Sequence, residues 1–432
     1  MRNLCAYIVE NIIINECLLV KNKTNYKGDI VMLKDYSFNL PTKIEFGNGK
    51  IEKLGYFIKE LKGKRVLLVT DKGLRNAGVL DNIFRILERE KIEYHIYDNV
   101  KPNPRDVDCM EAYEMAKRMD VDLLIAVGGG SSMDTAKAVG TLLSHGGTIS
   151  DWYGLDKLKH PITPLICIPT TSGTGSEITF FAVITDTVTK LKMNILDINV
   201  APKIAILDPE LTVSLPPLIT ASTGMDALTH AVEAYTCNLA EPITDALALY
   251  AIELIVKNLE EAVQSGDNIE ARENMLVGSL IAGIAFGNAD VGGVHCMAEA
   301  LGGLYDTPHG IANSMLLPYV FDYNIPSNVS KHAKVALLLG ADAQKHSSDE
   351  SIAKEGVKIL AELAEKIGIP KMKDIENVNT NDFEYLAEAA TQNVSASSNP
   401  RIATKDDYLN LFYKAFNEEL SLEIVGESDV RN

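Results

Sequence analysis

Positive charge, paired cysteines, aromatics and long apolar runs are all scarce in this chain of 432 residues. Lys and Arg number 41 against 59 Asp and Glu, a formal net charge of -18. That sign argues against nucleic acid, which needs a basic patch, and against anionic membrane surfaces. Six cysteines (Cys5, Cys17, Cys109, Cys167, Cys237, Cys296) are scattered without a CxxC pair or framework spacing. Free thiols in a reducing cytoplasm are therefore expected. The apolar stretch "NIIINECLLV" (11–20) is broken by Asn and Glu and preceded by Glu10, which excludes it as a membrane span or secretory signal. No solenoid-period repeat and no low-complexity tract occurs. What remains is 46% hydrophobic residues in a long chain, enough for a large core in two domains with small-molecule ligands.

Residues 1–31 differ in character from the rest of the chain. From Met32, "MLKDYSFNLPTKIEFGNGK" leads into an ordinary first strand, and the triplet Lys27-Gly28-Asp29 can be encoded by the purine-rich AAAGGAGAT, which is similar to a ribosome-binding sequence. The expectation is that 1–31 is a non-native leader or, alternatively, a frayed or partner-binding tail.

Between about 40 and 215, short Val/Ile-rich runs alternate with amphipathic stretches, the pattern of βαβ units. The runs are "RVLLVTD" (65–71), "EYHIYDNV" (93–100), "DLLIAVGGG" (122–130) and "PLICIPTT" (164–171). They predict a parallel, Rossmann-like nucleotide-binding sheet over 32–215. Past "LPP" (215–217) the strand signal fades into long helical patterns such as "ITDALALYAIELIVKNLEEAVQ" and "SIAKEGVKILAELAEKIG", so 216–432 is expected to be an all-α domain.

Two segments carry metal-binding residue types. In "GMDALTHAVEAY" (224–235), Asp226 and His230 stand four apart in a helical pattern and share a face. In "VHCMAEALGGLYDTPHG" (294–310), His295 and His309 are fourteen positions apart, which is about 21 Å on one unbroken helix. Gly302 and Gly303 weaken such a helix and Pro308 suits the first turn of a new one, so the chain is expected to turn back and bring the imidazoles together. One carboxylate and three imidazoles without thiolate suit a catalytic Fe(II) or Zn(II) better than a structural zinc. Taken alone, Asp226 and His230 read more often as a helix-surface pair than as ligands, and His295, in an Ala/Gly/Met-rich helix, as a satisfied core histidine. The joint pattern favours ligands, because three of only eight histidines fall in these two segments.

A third segment, "AVGGGSSMDTAKAVG" (126–140), follows a predicted strand and opens a helix. Its glycines permit close approach of a pyrophosphate to unpaired helix N–H groups. The alternative is a plain turn capped by Ser131 or Ser132. "PTTSGTGSE" (169–177) again follows a strand and offers hydroxyls for ribose and phosphate, and both lie where open α/β sheets bind ligands. Asp71, at the end of "RVLLVTD", is placed either to accept from ribose hydroxyls, favouring NAD over NADP, or to cap the next helix.

Taken together, "GGGSSMDTAKA", "PTTSGTGSEIT", "GMDALTHAVEAY" and "HCMAEALGGLYDTPHG" resemble, in order, the glycine-rich, threonine-rich and two metal-binding segments of the iron-dependent (group III) alcohol dehydrogenase family, from about Met32 to the C-terminal region. The resemblance implies an α/β cofactor domain, with the architecture also found in dehydroquinate synthases, and a helical domain facing it across the active site. It implies Asp226, His230, His295 and His309 as metal ligands. It also implies Gly129, Gly130, Ser131 and Asp134 at the cofactor phosphates, further cofactor contacts from Thr170, Thr171, Thr174 and Lys192, and a contribution from Asn103 in "KPNPRD". Asp71 matches the family's NAD-selecting acid, and Ser395, before "SSNPR", lies near the position of a pocket wall. Two departures stand out. Glu299 occupies a position where many members carry a His tied to proton relay, and Ser132 stands where Pro is common.

The implied activity is reversible hydride transfer between NAD(H) and a small primary alcohol or aldehyde, assisted by Fe(II), with Zn(II) also accommodated, in a cytoplasmic homodimer or larger homo-oligomer. Glu299 is the expected proton shuttle. A polyol dehydrogenase of glycerol type and a non-catalytic NAD- or metal-binding scaffold are the alternatives.

Overall fold

The computed structural model describes residues 35–189 and 192–420. The expectation about residues 1–31 lies outside them. The described residues from Ser37 onward form one compact unit.

Strands β1 (Lys43–Phe46), β2 (Arg65–Val69), β3 (Glu93–Tyr97), β4 (Leu123–Gly128), β6 (Leu165–Pro169) and β9 (Ile204–Leu207) form one sheet in the order β1-β9-β6-β4-β2-β3, every pairing parallel. Helices α1 (Leu54–Glu60), α2 (Lys72–Asn76), α3 (Asp81–Arg89), α4 (Asp106–Arg118) and α5 (Gly130–His145) connect them. The central strand β4, "LLIAVG", is buried along its whole length, because helices cover both faces of a parallel sheet and an uninterrupted apolar run satisfies both. The chain moves from β2 outward to β3 and then crosses back to β4 on the other side of β2. The carboxyl ends of β2 and β4 therefore bound a topological switch point, where such sheets bind ligands. All four expected strands are present.

The small sheet of β5 (Gly154–Leu155), β8 (Lys192–Leu196) and β7 (Phe181–Thr185), ordered β5-β8-β7, was not expected. Its β7 and β8 pair antiparallel. In a purely βαβ reading the segment should cross over through a helix, but the connection is too short for one and closes a hairpin instead.

Every described element after Leu207 is helical: α6 (Pro217–Thr236), α7 (Pro242–Gln264), α8 (Ile269–Asn288), α9 (Gly293–Tyr305), α10 (His309–Asn324), α11 (Val329–Leu339), α12 (Asp349–Lys366), α13 (Phe383–Thr391), α14 (Lys405–Asn417) and short 3-10 turns. Local chemistry explains the boundaries. Ser348 and Ser351 form a capping box at the start of α12, followed by Asp349 and Glu350 in its first turn, where carboxylates complement the helix dipole. Among the described residues no single helix is long and apolar enough to cross a membrane. The bent pair α8 and α9, at 100°, passes on length and composition, but both are largely buried core helices.

The two halves meet where the threonine-rich loop touches α8. A Cβ on Gly175 would lie 2.6 Å from Gly283 Cα, so backbone packs on backbone and only paired glycines allow it.

Candidate active site

Helix α6 carries Asp226 and His230 one turn apart, both buried. Helix α9 carries His295 near its start, and α10 opens with His309. The return expected of this segment is present, with one correction. Gly302 and Gly303 do not break α9, which continues to Tyr305; the reversal occurs at Asp306, with φ 57, and Pro308 precedes the new helix rather than lying inside it. Glycine costs a helix only about 1 kcal/mol, which packing overrides, whereas the left-handed residue ends the helix outright.

Donor atoms of Asp226, His230, His295 and His309 all lie within 4.8 Å of one another. Asp226 Oδ1 is 3.9 Å from His295 Nε2 and 3.7 Å from His309 Nε2. A four-coordinate shell with bonds of about 2.1 Å spaces its donors ~3.4 Å apart, so small ring movements complete the set. The His230 ring stacks between Phe286 and His295, centroids 4.0 and 4.6 Å away. That packing fixes its plane.

Three further residues complete the centre. Glu233, one turn beyond His230, accepts from His295 Nδ1 at 2.5 Å and, through its other oxygen, from Val294 N at 2.7 Å. Because a carboxylate only accepts, His295 must carry a proton on Nδ1, so that its neutral ring keeps the lone pair on Nε2, the atom toward Asp226. Asn313 Nδ2 lies 2.6 Å from Asp226 Oδ1 and 3.1 Å from Nε2 of both His295 and His309. One amide nitrogen thus faces three proposed donors. Asn399 Oδ1 accepts from Gly293 N at 2.9 Å, so the "SSNPR" segment secures the first turn of α9. Sequence reading missed Glu233, Asn313 and Asn399. The first two had a signal: Glu233 continues the Asp226–His230 face, and Asn313 comes four residues after His309.

The electrostatics suit a cation. Burial, reinforced by the charge of His295, holds His230 well below the ordinary histidine value. Burial also holds His309 at about 3 against the pull of Asp226, although its side chain keeps a 33% exposed edge. Both rings are neutral lone-pair donors at pH 7. Burial lowers His295 too, but the hydrogen bond and charge of Glu233 outweigh it and its pKa stands above the ordinary value. Three imidazoles, a buried carboxylate and a carboxylate behind one ring are the donor set and orienting partner of a divalent transition-metal site.

Glu299 lies one turn beyond His295, with Oε2 accepting from Asn393 Nδ2 at 2.7 Å. Burial raises its pKa, opposed by the charges of Lys192 and His295. Ser395 donates to Asp290 Oδ1 at 2.8 Å in the short turn Val394–Ser398 beside it.

On the sheet side, α5 begins at the end of β4 with Gly129 at its N-cap and no side-chain cap. The alternative of a turn capped by Ser131 or Ser132 therefore does not hold, and no side chain satisfies the first N–H groups, which suits an anion there. A Cβ on Gly130 would sit 2.8 Å from Thr174 Cγ2, and one on Gly129 3.3 Å from Thr171 Oγ1. The glycine-rich and threonine-rich loops are thus in contact, with Thr170 buried between their strands. Asp71 caps α2, accepting from Leu74 N at 3.0 Å. Its capping role is realised, and its second oxygen remains for other partners. Asp134 accepts from Ser176 Oγ at 2.6 Å and Val183 N at 3.2 Å, tying α5 to the threonine-rich loop and β7. Lys192 Nζ donates to Asn103 Oδ1 at 2.9 Å, and burial lowers its pKa.

Two buried ionisable residues behind this loop were also missed. Lys137 donates to Ser176 Oγ, Thr179 Oγ1 and Phe181 O. Glu177, 2% exposed, leaves Oε1 without a hydrogen-bond partner, and burial raises its pKa to about 7.

Residues 41–209 match the family model described as iron-containing alcohol dehydrogenase, and 220–416 the model of that family's C-terminal part. The chain is 42% identical over 384 residues to the 1,3-propanediol dehydrogenase of Klebsiella pneumoniae, covering 88% of this chain and 99% of the relative. It is 38% identical over 379 residues to the NAD-dependent methanol dehydrogenase of Bacillus methanolicus, covering 88% and 99%. A crystal structure of 1,3-propanediol oxidoreductase superposes with a TM-score of 0.86 at 41% identity, covering 89% of this chain and 100% of that one. With four metal-type donors gathered on α6, α9 and α10 opposite a glycine-opened helix, and matches spanning both halves, the chain belongs to the iron-containing alcohol dehydrogenase family.

Proposed function

We propose that this chain catalyses reversible hydride transfer between NAD(H) and a small primary alcohol or aldehyde, using Fe(II), or Zn(II) in its place, held by Asp226, His230, His295 and His309. The observation that carries this is the convergence of one carboxylate and three imidazoles within 4.8 Å. Once bound, the cation supplies Lewis acidity toward the substrate oxygen and the nicotinamide supplies the hydride acceptor or donor that no side chain offers.

The chain's residues do the positioning. Glu233 keeps a proton on His295 Nδ1 so that Nε2 stays a donor. Phe286 and the ring stack keep His230 in plane and exclude water on that side. The uncapped start of α5, with Gly129, Gly130 and Ser131, would hold the pyrophosphate, Thr170, Thr171 and Thr174 would border it, and Asp71 would accept from the adenosine ribose. Asp134 holds Ser176 and β7 in place. Lys192 and Asn103 would add further cofactor contacts. Glu299, anchored by Asn393, is the group we assign to moving the hydroxyl proton.

In this reading 32–215 is the cofactor domain and 216–432 the metal domain. The protein works as a homo-oligomer in the cytoplasm without nucleic-acid or membrane partners. The net charge of -18 and the buried free thiols among the described residues (Cys109, Cys167, Cys237, Cys296) are in keeping with that setting. A polyol substrate is the second reading, favoured by the polar side that Glu299, Asn393 and Lys192 give the site.

The test is purified, metal-loaded protein assayed for NADH oxidation with short aldehydes and with the aldehydes of glycerol and 1,3-propanediol, before and after chelation. Chelator-sensitive turnover is expected. Its absence in the metal-replete protein would leave a binding scaffold.

A further inference from the structure

The turn between α9 and α10 reaches across to the sheet half. Asp306, in the left-handed conformation that Asp tolerates at some cost, directs both carboxylate oxygens away from its own helices. Oδ1 accepts from Asn103 Nδ2 at 2.9 Å and Oδ2 from Arg105 Nη2 at 3.1 Å. Asn103 is itself left-handed, with φ 53, and its remaining amide atom, Oδ1, accepts from Lys192 Nζ at 2.9 Å. The orientation of this amide is determined from both ends. With Nδ2 donating to Asp306, Oδ1 must face Lys192, and the ammonium keeps two further N–H groups to direct elsewhere. The negative charge of Asp306, with those of Glu299 and Asp134, opposes the lowering of the Lys192 pKa that burial causes. A cavity of about 540 Å³, bordered by Arg105, Thr185, Gly302 and Leu304, opens beside the contact.

We infer that Asp306 is a positioning residue for cofactor binding: it ties the turn that separates His295 from His309 to the Asn103–Lys192 pair, so one carboxylate sets the metal helices and the cofactor contacts relative to each other. The inference rests on the proposed assignment of Asn103 and Lys192 to NAD(H). The two bonds of Asp306 differ in weight. Its side chain is 59% exposed, where an ion pair to Arg105 contributes little, so the bond to Asn103 carries the effect. Asp306→Asn keeps an acceptor for Asn103 and should act mildly, whereas Asp306→Ala removes it.

The experiment measures NADH binding by fluorescence on the purified full chain, which needs no turnover. Asp306→Ala is expected to weaken NADH about fivefold, with Asp306→Asn within about twofold of the parent. Asp306→Ala added to Asn103→Ala should cause no further loss, because the two act through one bond. Metal content and the urea midpoint should stay unchanged in both Asp306 variants. Normal NADH affinity in Asp306→Ala, or a full additional loss in the double variant, would overturn the role. Normal affinity in Asn103→Ala would instead remove the underlying cofactor assignment and this role with it, which separates the two failures.

Discussion

Replacing Glu233 with Gln tests how the centre prepares His295. In the parent, one oxygen accepts from His295 Nδ1 and the other from Val294 N, both in buried surroundings. Glutamine has nearly the same shape but only one acceptor, so whichever way it is oriented, its NH2 group confronts one of these donors. If the amide oxygen stays with Val294, the NH2 faces His295 and drives the ring to the tautomer with Nδ1 bare and Nε2 protonated, aiming a proton at the metal. If it flips, the buried N–H of Val294, in the first turn of α9, is orphaned. Either loss costs roughly 1.5–3 kcal/mol for a charge-assisted bond, which corresponds to about 10- to 100-fold in metal affinity. Competition against a chromophoric chelator, with Zn(II) as the probe, reads this directly. The loss should be larger at pH 8 than at pH 6. Glu233 raises the pKa of His295, so in the parent the proton competes with metal at the lower pH, and that competition weakens once the carboxylate is gone. A zinc affinity within twofold of the parent at pH 8 would refute the orienting role.

His309→Ala should abolish metal retention and turnover while the circular dichroism spectrum persists, because this ring is the most open of the three; a metal-replete variant with normal turnover would refute its ligand role. Asp71→Gly should raise the NADP-to-NAD ratio of kcat/KM by removing the carboxylate at the end of β2, while losing only a few tenths of a kcal/mol as a cap; an unchanged ratio would count against ribose recognition. Glu177 sits at about 7 in the fold against an ordinary 4.5, so its neutral form favours folding fully below about 4.5 and that contribution fades as pH rises through 7. Glu177→Gln, unable to ionise, should therefore gain up to about 3 kcal/mol over the parent between pH 4.5 and 8 in urea unfolding; a difference constant with pH would exclude the buried carboxyl as the cause.

The ligand set could be found in the sequence because each half of it is local: Asp226 and His230 on one helix face, His295 and His309 across a turn punctuated by glycine and proline. The parallel strands β2, β4 and β6 were legible for a related reason, since strands covered on both faces are written as unbroken apolar runs, whereas β3, at the sheet edge and only part-buried, mixes polar and apolar residues. The β7–β8 hairpin was not, because its residues alternate weakly and its partner strand β5 has only two residues. Glu233 and Asn313 lay on the correct helical faces, but a carboxylate or amide on a helix face has many possible uses, and only the position of a second helix selects one. Asn399 carried no readable signal, because it caps a helix 106 residues away in sequence.

What the amino-acid order determined by itself was everything of short range: strand and helix periods, the glycine-opened start of α5, and the donors four residues apart. Which tautomer His295 adopts, which way the Asn103 amide points and how low His309 titrates were decided only by folding. Each depends on desolvation and on partners from distant segments, and neither exists until the helices pack against one another and against the sheet.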